Sequence, residues 1–198
     1  MKKKKSAASE TAVTKKNKHP MLIIAAVSVL IIALVILAIM YFIGPKKAVK
    51  KYVKAGISKN GGKNYFSMIL PDYVVDQLKS DEKWNDMIES YNNDLSDVRD
   101  DYKFRIKDIE KKDELSATAL DGAQLYFEEM AKKYDTKPKE LDIQKGFEFE
   151  VKLTKKDRNS KKKTSESTVV CAVKIKSEGW KIAEVPASYL KKLSKEQG

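Results

Sequence analysis

Residues Met21 to Ile43 constrain this chain more than any other stretch. They are 23 consecutive positions without a charge, and Ser28 is their only strongly polar side chain. A hydrocarbon core about 30 Å thick needs about 20 helical residues to cross it, so the run is long enough to span with some tilt. Only a helix can carry a single segment across, because every backbone N–H and C=O must be satisfied within it. Fifteen of the residues are Leu, Ile, Val or Phe, each contributing roughly −0.3 to −0.6 kcal/mol to insertion near the centre. Tyr41 fits the interfacial belt, with an apolar ring and a wet hydroxyl. The run is too long for the apolar region of a cleaved signal peptide, and the following Tyr41-Phe42-Ile43-Gly44-Pro45 offers no small-x-small cleavage site. A single-pass, uncleaved signal-anchor is therefore predicted over residues 21–43.

Orientation rests on the flanking lysines. Residues 1–20 carry seven lysines against Glu10, and Lys46, Lys47, Lys50, Lys51, Lys54, Lys59 and Lys63 match them on the other side. Counting alone is thus a tie. The N-terminal tail is short and largely uncompensated, whereas large downstream domains cross largely regardless of charge. The expected arrangement is a cytoplasmic N-terminus, a cell-membrane anchor and an extracytoplasmic domain. Residues 1–20 have almost nothing to bury and are expected to be a disordered basic tail.

Composition removes several chemistries. Cys171 is the only cysteine, so no intramolecular disulfide can form. His19 is the only histidine and lies in the tail, which excludes His-based triads, His general bases and His-containing zinc clusters from the domain. The net charge is +12, of which half belongs to the tail. Lysines outnumber arginines 37 to 3 and interleave with acids, and no aromatic stacking platform stands between basic residues, which argues against nucleic-acid binding.

After the anchor the hydrophobic period alternates between helical and extended. Ala48, Val49, Tyr52, Val53 and Ile57 recur at helical spacing from Pro45 onward, up to Gly61-Gly62. A short apolar segment, residues 65–70, stops at Pro71-Asp72, and Tyr73, Val74 and Leu78 predict another brief helix. Ser80 is a candidate cap for a helix whose stripe is Trp84, Met87, Ile88, Tyr91, Leu95 and Val98, with an acidic opposite face. No calcium-loop spacing occurs among those acids. Tyr102, Phe104 and Ile106 then alternate with basic residues as a strand. Leu120, Ala123, Phe127, Met130, Ala131 and Tyr134 return to a helix. Phe147, Phe149, Val151 and Leu153, then Val169, Cys171, Val173 and Ile175, then Trp180 and Ile182 predict an antiparallel meander with one apolar and one wet face. On that reading Cys171 is a small core hydrophobe. Residues 155–163 form a long basic hairpin tip, either a solvated loop that blunts an edge or a docking site for an anionic partner.

The order of anchor, N-terminal helices, strand, helix and closing meander resembles the nuclear-transport-factor-2-like cone fold, also called SnoaL-like or cystatin-like. The residues that carry the resemblance are Ala48-Val49-Lys50-Lys51-Tyr52-Val53 and Val173-Lys174-Ile175-Lys176-Ser177-Glu178-Gly179-Trp180-Lys181-Ile182. Similar pieces occur in membrane-anchored extracytoplasmic proteins of Gram-positive bacteria. The resemblance implies an α+β domain over residues 46–187, helices on a curved antiparallel sheet, followed by a C-terminal tail, residues 188–198. Its catalytic relatives use His or Asp with Tyr inside the cone. No such residue carries over, because the inward strand positions read as apolar throughout.

The expectation is therefore a non-catalytic, membrane-tethered domain of the cell envelope that binds a partner or scaffolds a complex. Its partners would be the lipid bilayer, through Met21–Ile43, and an envelope protein or anionic polymer. No residue is assigned as catalytic, cofactor-binding or metal-binding. The alternative is a small-molecule isomerase or dehydratase, which requires a buried carboxylate beside a tyrosine hydroxyl.

Overall fold

Pro45 opens the first helix, because its fixed φ and missing N–H cost nothing in a first turn. The computed structural model describes residues 44–197, so the predicted anchor and the basic tail lie outside the described residues. Among the described residues no helix is long and apolar enough to cross a membrane. The domain is α+β, with helices packed on a four-stranded antiparallel sheet.

Helix α1 (Gly44–Gly56) buries Ala48, Val49, Val53 and Ala55 and turns its lysines outward. The turn to α2 (Gly62–Ile69) is so tight that a Cβ on Gly61 would sit 1.8 Å from the Ala55 carbonyl oxygen. Helix α3 (Asp72–Ser80) follows Pro71 and buries Val74, Val75 and Leu78. Ser80 ends α3 and does not cap the next helix. Glu82, in the left-handed region at φ 59°, breaks the path and α4 (Lys83–Asp94) begins after it. The expected continuous stripe also breaks at Leu95, and α5 (Ser96–Asp101) leaves Val98 exposed.

Strand β1 (Tyr102–Glu114) is longer than the Tyr102–Ile106 alternation implies. A register shift between Ile106 and Asp108 moves the inward position from Ile106 to Ile109, which hides the strand's second half from a period-two reading. Helix α6 (Ala117–Lys133) is capped by the Ser116 hydroxyl, which accepts from the Ala119 N–H. Strands β2 (Ile143–Asp157), β3 (Lys163–Ile175) and β4 (Gly179–Ala183) complete the order β1-β2-β3-β4, every neighbour antiparallel.

Register corrects one expectation directly. Phe147 pairs with Ala172 and Phe149 with Val170, whereas Cys171 stands opposite Glu148 and Val169 opposite Glu150. Val169, Cys171, Val173 and Ile175 therefore occupy the face opposite to Phe147, Phe149 and Val151. There is no wet face at this end of the sheet, because helices cover both sides. Phe147, Phe149, Val151, Val170, Ala172 and Ile182 form one core with α1 to α4. Cys171, Val173, Ile175 and Ala183 form a second with Phe127, Ala119 and Ala123 of α6. A strand buried on both faces needs a continuous apolar run, which Val169-Val170-Cys171-Ala172-Val173 supplies.

The second core is closed by α7 (Ala187–Gln197), which replaces the expected C-terminal tail. Leu190 is wholly buried and Leu193 nearly so. Gly122 of α6 permits the crossing, since a Cβ there would lie 1.8 Å from the Leu190 carbonyl oxygen. Away from these helices β1, β2 and β3 run on as a ribbon whose β3 residues 163–168 are exposed.

Candidate functional site

Two features lie where α1 and α2 meet β4. The first is an open groove of about 910 Å³. One wall is the outer face of α1, with Lys47, Lys50, Lys51 and Lys54. The other is the Asn60–Gly61 turn with Asn64 and Ser67 of α2, and Trp180 and Lys181 contribute from β4. The four α1 lysines are exposed, and none is ion-paired with a carboxylate among the described residues. Lys47 and Lys51, like Lys50 and Lys54, stand four apart on one helix face, a mildly repulsive spacing.

At the groove's end a charge cluster is internally satisfied. The buried Lys181 ammonium lies 2.6 Å from Asp72 and 3.5 Å from Glu178, and it donates to the Ser67 carbonyl at 3.1 Å. Glu178 also accepts from the Asp72 N–H at 2.8 Å. This cluster fastens the start of α3 to the β3–β4 turn. One ammonium against two carboxylates leaves this cluster a net charge of −1, which the four α1 lysines along the groove outweigh.

The second feature is a tyrosine cluster around Glu184, the residue after β4. Tyr52 of α1 and Tyr65 of α2 both donate to Glu184 Oε1 at 2.5 Å, and the Glu184 N–H donates to the Tyr126 hydroxyl at 3.3 Å. Tyr65 stacks on Tyr91 with ring centroids 4.6 Å apart. Burial, reinforced by the adjacent Glu184 carboxylate, raises the Tyr52 and Tyr65 hydroxyls far above the ordinary phenol range. Burial also pushes Tyr91 up to about 12 against the opposing pull of Arg99. Tyr126 reaches about 12, mainly through burial. All four stay protonated at neutral pH, so Tyr52 and Tyr65 can donate. Charge-assisted bonds of this kind contribute about 1.5–3 kcal/mol each. The groove walls include neither Glu184 nor these hydroxyls.

Arg99 supports the same region from beneath. Only 5% exposed, it donates to the carbonyls of Gly56 (3.0 Å) and Lys59 (3.1 Å), where α1 ends. Carbonyls at a helix C-terminus lack intrahelical donors, and a guanidinium satisfies them while complementing the dipole.

Glu184 is the residue that sequence reasoning missed. It continues the inward register of Trp180 and Ile182 by two residues, and that spacing was the available signal. Cys171 is buried as expected, with its thiol raised to about 12, mainly by burial. Among the described residues no group of three His, Cys, Asp or Glu side chains could hold a metal ion. The basic hairpin tip is shorter than expected. The strands extend to Asp157 and resume at Lys163, and the Asp157 carboxylate accepts from the Asn159 and Ser160 N–H groups at 2.8 Å.

The fold and site define a class no finer than an α+β domain with a lysine-rimmed groove beside a buried carboxylate–tyrosine network. Comparison with protein-family models, curated proteins and solved structures found no match for this chain.

Proposed function

We propose that this chain is a membrane-tethered, non-catalytic domain of the cell envelope that holds an anionic partner in the α1–α2 groove. Met21–Ile43 is the tether, the N-terminus is cytoplasmic and the domain is extracytoplasmic, with kinship to the nuclear-transport-factor-2-like cone. The observation that carries the reading is the groove itself. Four lysines with no carboxylate partner among the described residues rim it, and its carboxylates, Asp72 and Glu178, are already engaged by Lys181. A photo-crosslinking amino acid placed at Asn64 in the full-length protein, in intact membranes, should give a discrete adduct with an acidic partner. Substituting Lys47, Lys50 and Lys51 by Gln should abolish it. Adducts that survive those substitutions would overturn the reading. Extraction of the membranes with alkaline carbonate should leave the protein in the pellet, and its release would remove the tether.

A second reading is favoured by Glu184, since a half-buried carboxylate beside two tyrosine hydroxyls is what an isomerase or dehydratase would need. Under that reading Glu184→Gln abolishes turnover of a small-molecule substrate and leaves the groove adduct intact. Under the first reading the same variant alters stability alone.

A further inference from the structure

We infer that the bare outer end of the sheet docks a linear polyanion that carries phosphate groups and no aromatic bases. This surface is remote from the groove and takes a ligand other than the groove's partner. Lys103, Lys156 and Lys163 stand directly opposite one another across β1, β2 and β3. Two residues inward on the same face, Arg105 pairs with Thr154 and Thr154 with Ser165. Four cations and two hydroxyls thus share two rows that contain no carboxylate. Strand spacing and rise set them about 5 Å apart across the sheet and about 7 Å apart along it.

Neutralisation is used nearby and withheld here. One row further in, Lys152 lies between Glu110 (3.7 Å) and Glu150 (3.5 Å), and Lys112 bridges the same two carboxylates. Like charges directly opposite one another destabilise a sheet. A local rule broken without compensation is expected where a surface serves a ligand. Two neighbouring acids are committed elsewhere: Asp100 pairs with Lys59, and the Asp157 carboxylate caps the turn.

The kind of polyanion follows from what shares the face and what does not. Tyr102 and Phe104 lie on the opposite face, where the Lys155 ammonium sits 3.8 Å over the Tyr102 ring. The cationic rows therefore offer phosphate contacts and hydroxyl donors without a stacking platform, which disfavours single-stranded nucleic acid.

The test uses full-length protein in phosphatidylcholine nanodiscs and a synthetic base-free phosphodiester, poly(propanediol phosphate). Its log–log salt dependence should have a slope of about −3, from four cations at roughly 0.7 each. The triple variant Lys103→Gln, Lys156→Gln, Lys163→Gln should flatten the slope to about −1 and weaken low-salt binding by about tenfold or more. Its melting temperature should hold or rise as the repulsive row is relieved, which separates lost binding from lost folding. The groove variant Lys47→Gln, Lys50→Gln, Lys51→Gln should leave this slope unchanged, so the two sites can fail independently. An unaltered slope in the row variant would overturn the inference. So would equal flattening by the groove variant, or tighter binding to phosphatidylglycerol vesicles or single-stranded DNA than to the polymer.

Discussion

Replacing Leu190 by Ala tests whether the last helix belongs to the domain. Leu190 is wholly buried against α6 and the Cys171 face of the sheet. Deleting such a side chain costs its transfer energy plus the cavity left behind, about 3 kcal/mol or more. With a urea m-value of about 2 kcal/mol/M, the unfolding midpoint should fall by about 1.5 M. Full-length protein in neutral detergent, followed by the fluorescence of Trp84 and Trp180, gives the measurement. Gly122→Ala approaches the same contact from the other side. Ala gains about 1 kcal/mol of helix propensity over Gly, but its Cβ would meet the Leu190 carbonyl oxygen at 1.8 Å and the carbonyl carbon at 2.5 Å. Those are backbone atoms, so no rotamer change relieves the overlap and α7 must move. The clash should therefore win, for a net loss of about 1–3 kcal/mol. The double variant should cost less than the sum, because each change strips the same docked helix. A midpoint shift below about 0.3 M for Leu190→Ala, together with stabilisation by Gly122→Ala, would refute the packing of α7.

Alkaline titration should show the Glu184 cluster resisting ionisation. Tyr52 and Tyr65 are raised by burial first and the Glu184 carboxylate second, so their stabilisation is complete below the ordinary phenol value near 10 and declines above it, as the unfolded chain ionises first. Phenolate absorbance should accordingly rise in a cooperative step that coincides with unfolding, and Tyr52→Phe with Tyr65→Phe should reduce that step. Arg99→Met should destabilise the domain by about 2 kcal/mol, by stranding the Gly56 and Lys59 carbonyls; Arg99→Lys should recover less than half, since an ammonium cannot reproduce the fork. Cys171 should resist thiol reagents in the native state and react in step with urea unfolding, because only the opened sheet exposes a thiol whose native pKa is about 12.

Period and punctuation made α1, α3, α6 and the three meander strands readable, since Pro45, Pro71 and the turn at Ser177-Glu178-Gly179 bound segments of clear periodicity. Face assignment was not readable from alternation alone. Two strands that each alternate at odd positions can still pair odd with even, as Phe147 does with Ala172. The signal that outranked alternation was the unbroken Val169–Val173 run, which marks burial on both sides. The missed α7 followed from that error, because a wet face needs no cover. Ser80 failed as a cap because Glu82 takes the left-handed turn that separates two helices. Glu184 escaped notice because it lies one residue past β4, where a strand reading stops and its register does not.

The covering of β3 on both sides bears on how the molecule is made. Of the described elements α7 is the last to emerge during synthesis, so the Cys171–Val173–Ile175 surface stays incompletely roofed until α7 has been made. A nascent chain halted before Leu190 presents a largely apolar, β-prone segment with no lid, the type of segment that recruits other strands. Ribosome-bound intermediates of this protein should thus engage holdase chaperones until α7 is released.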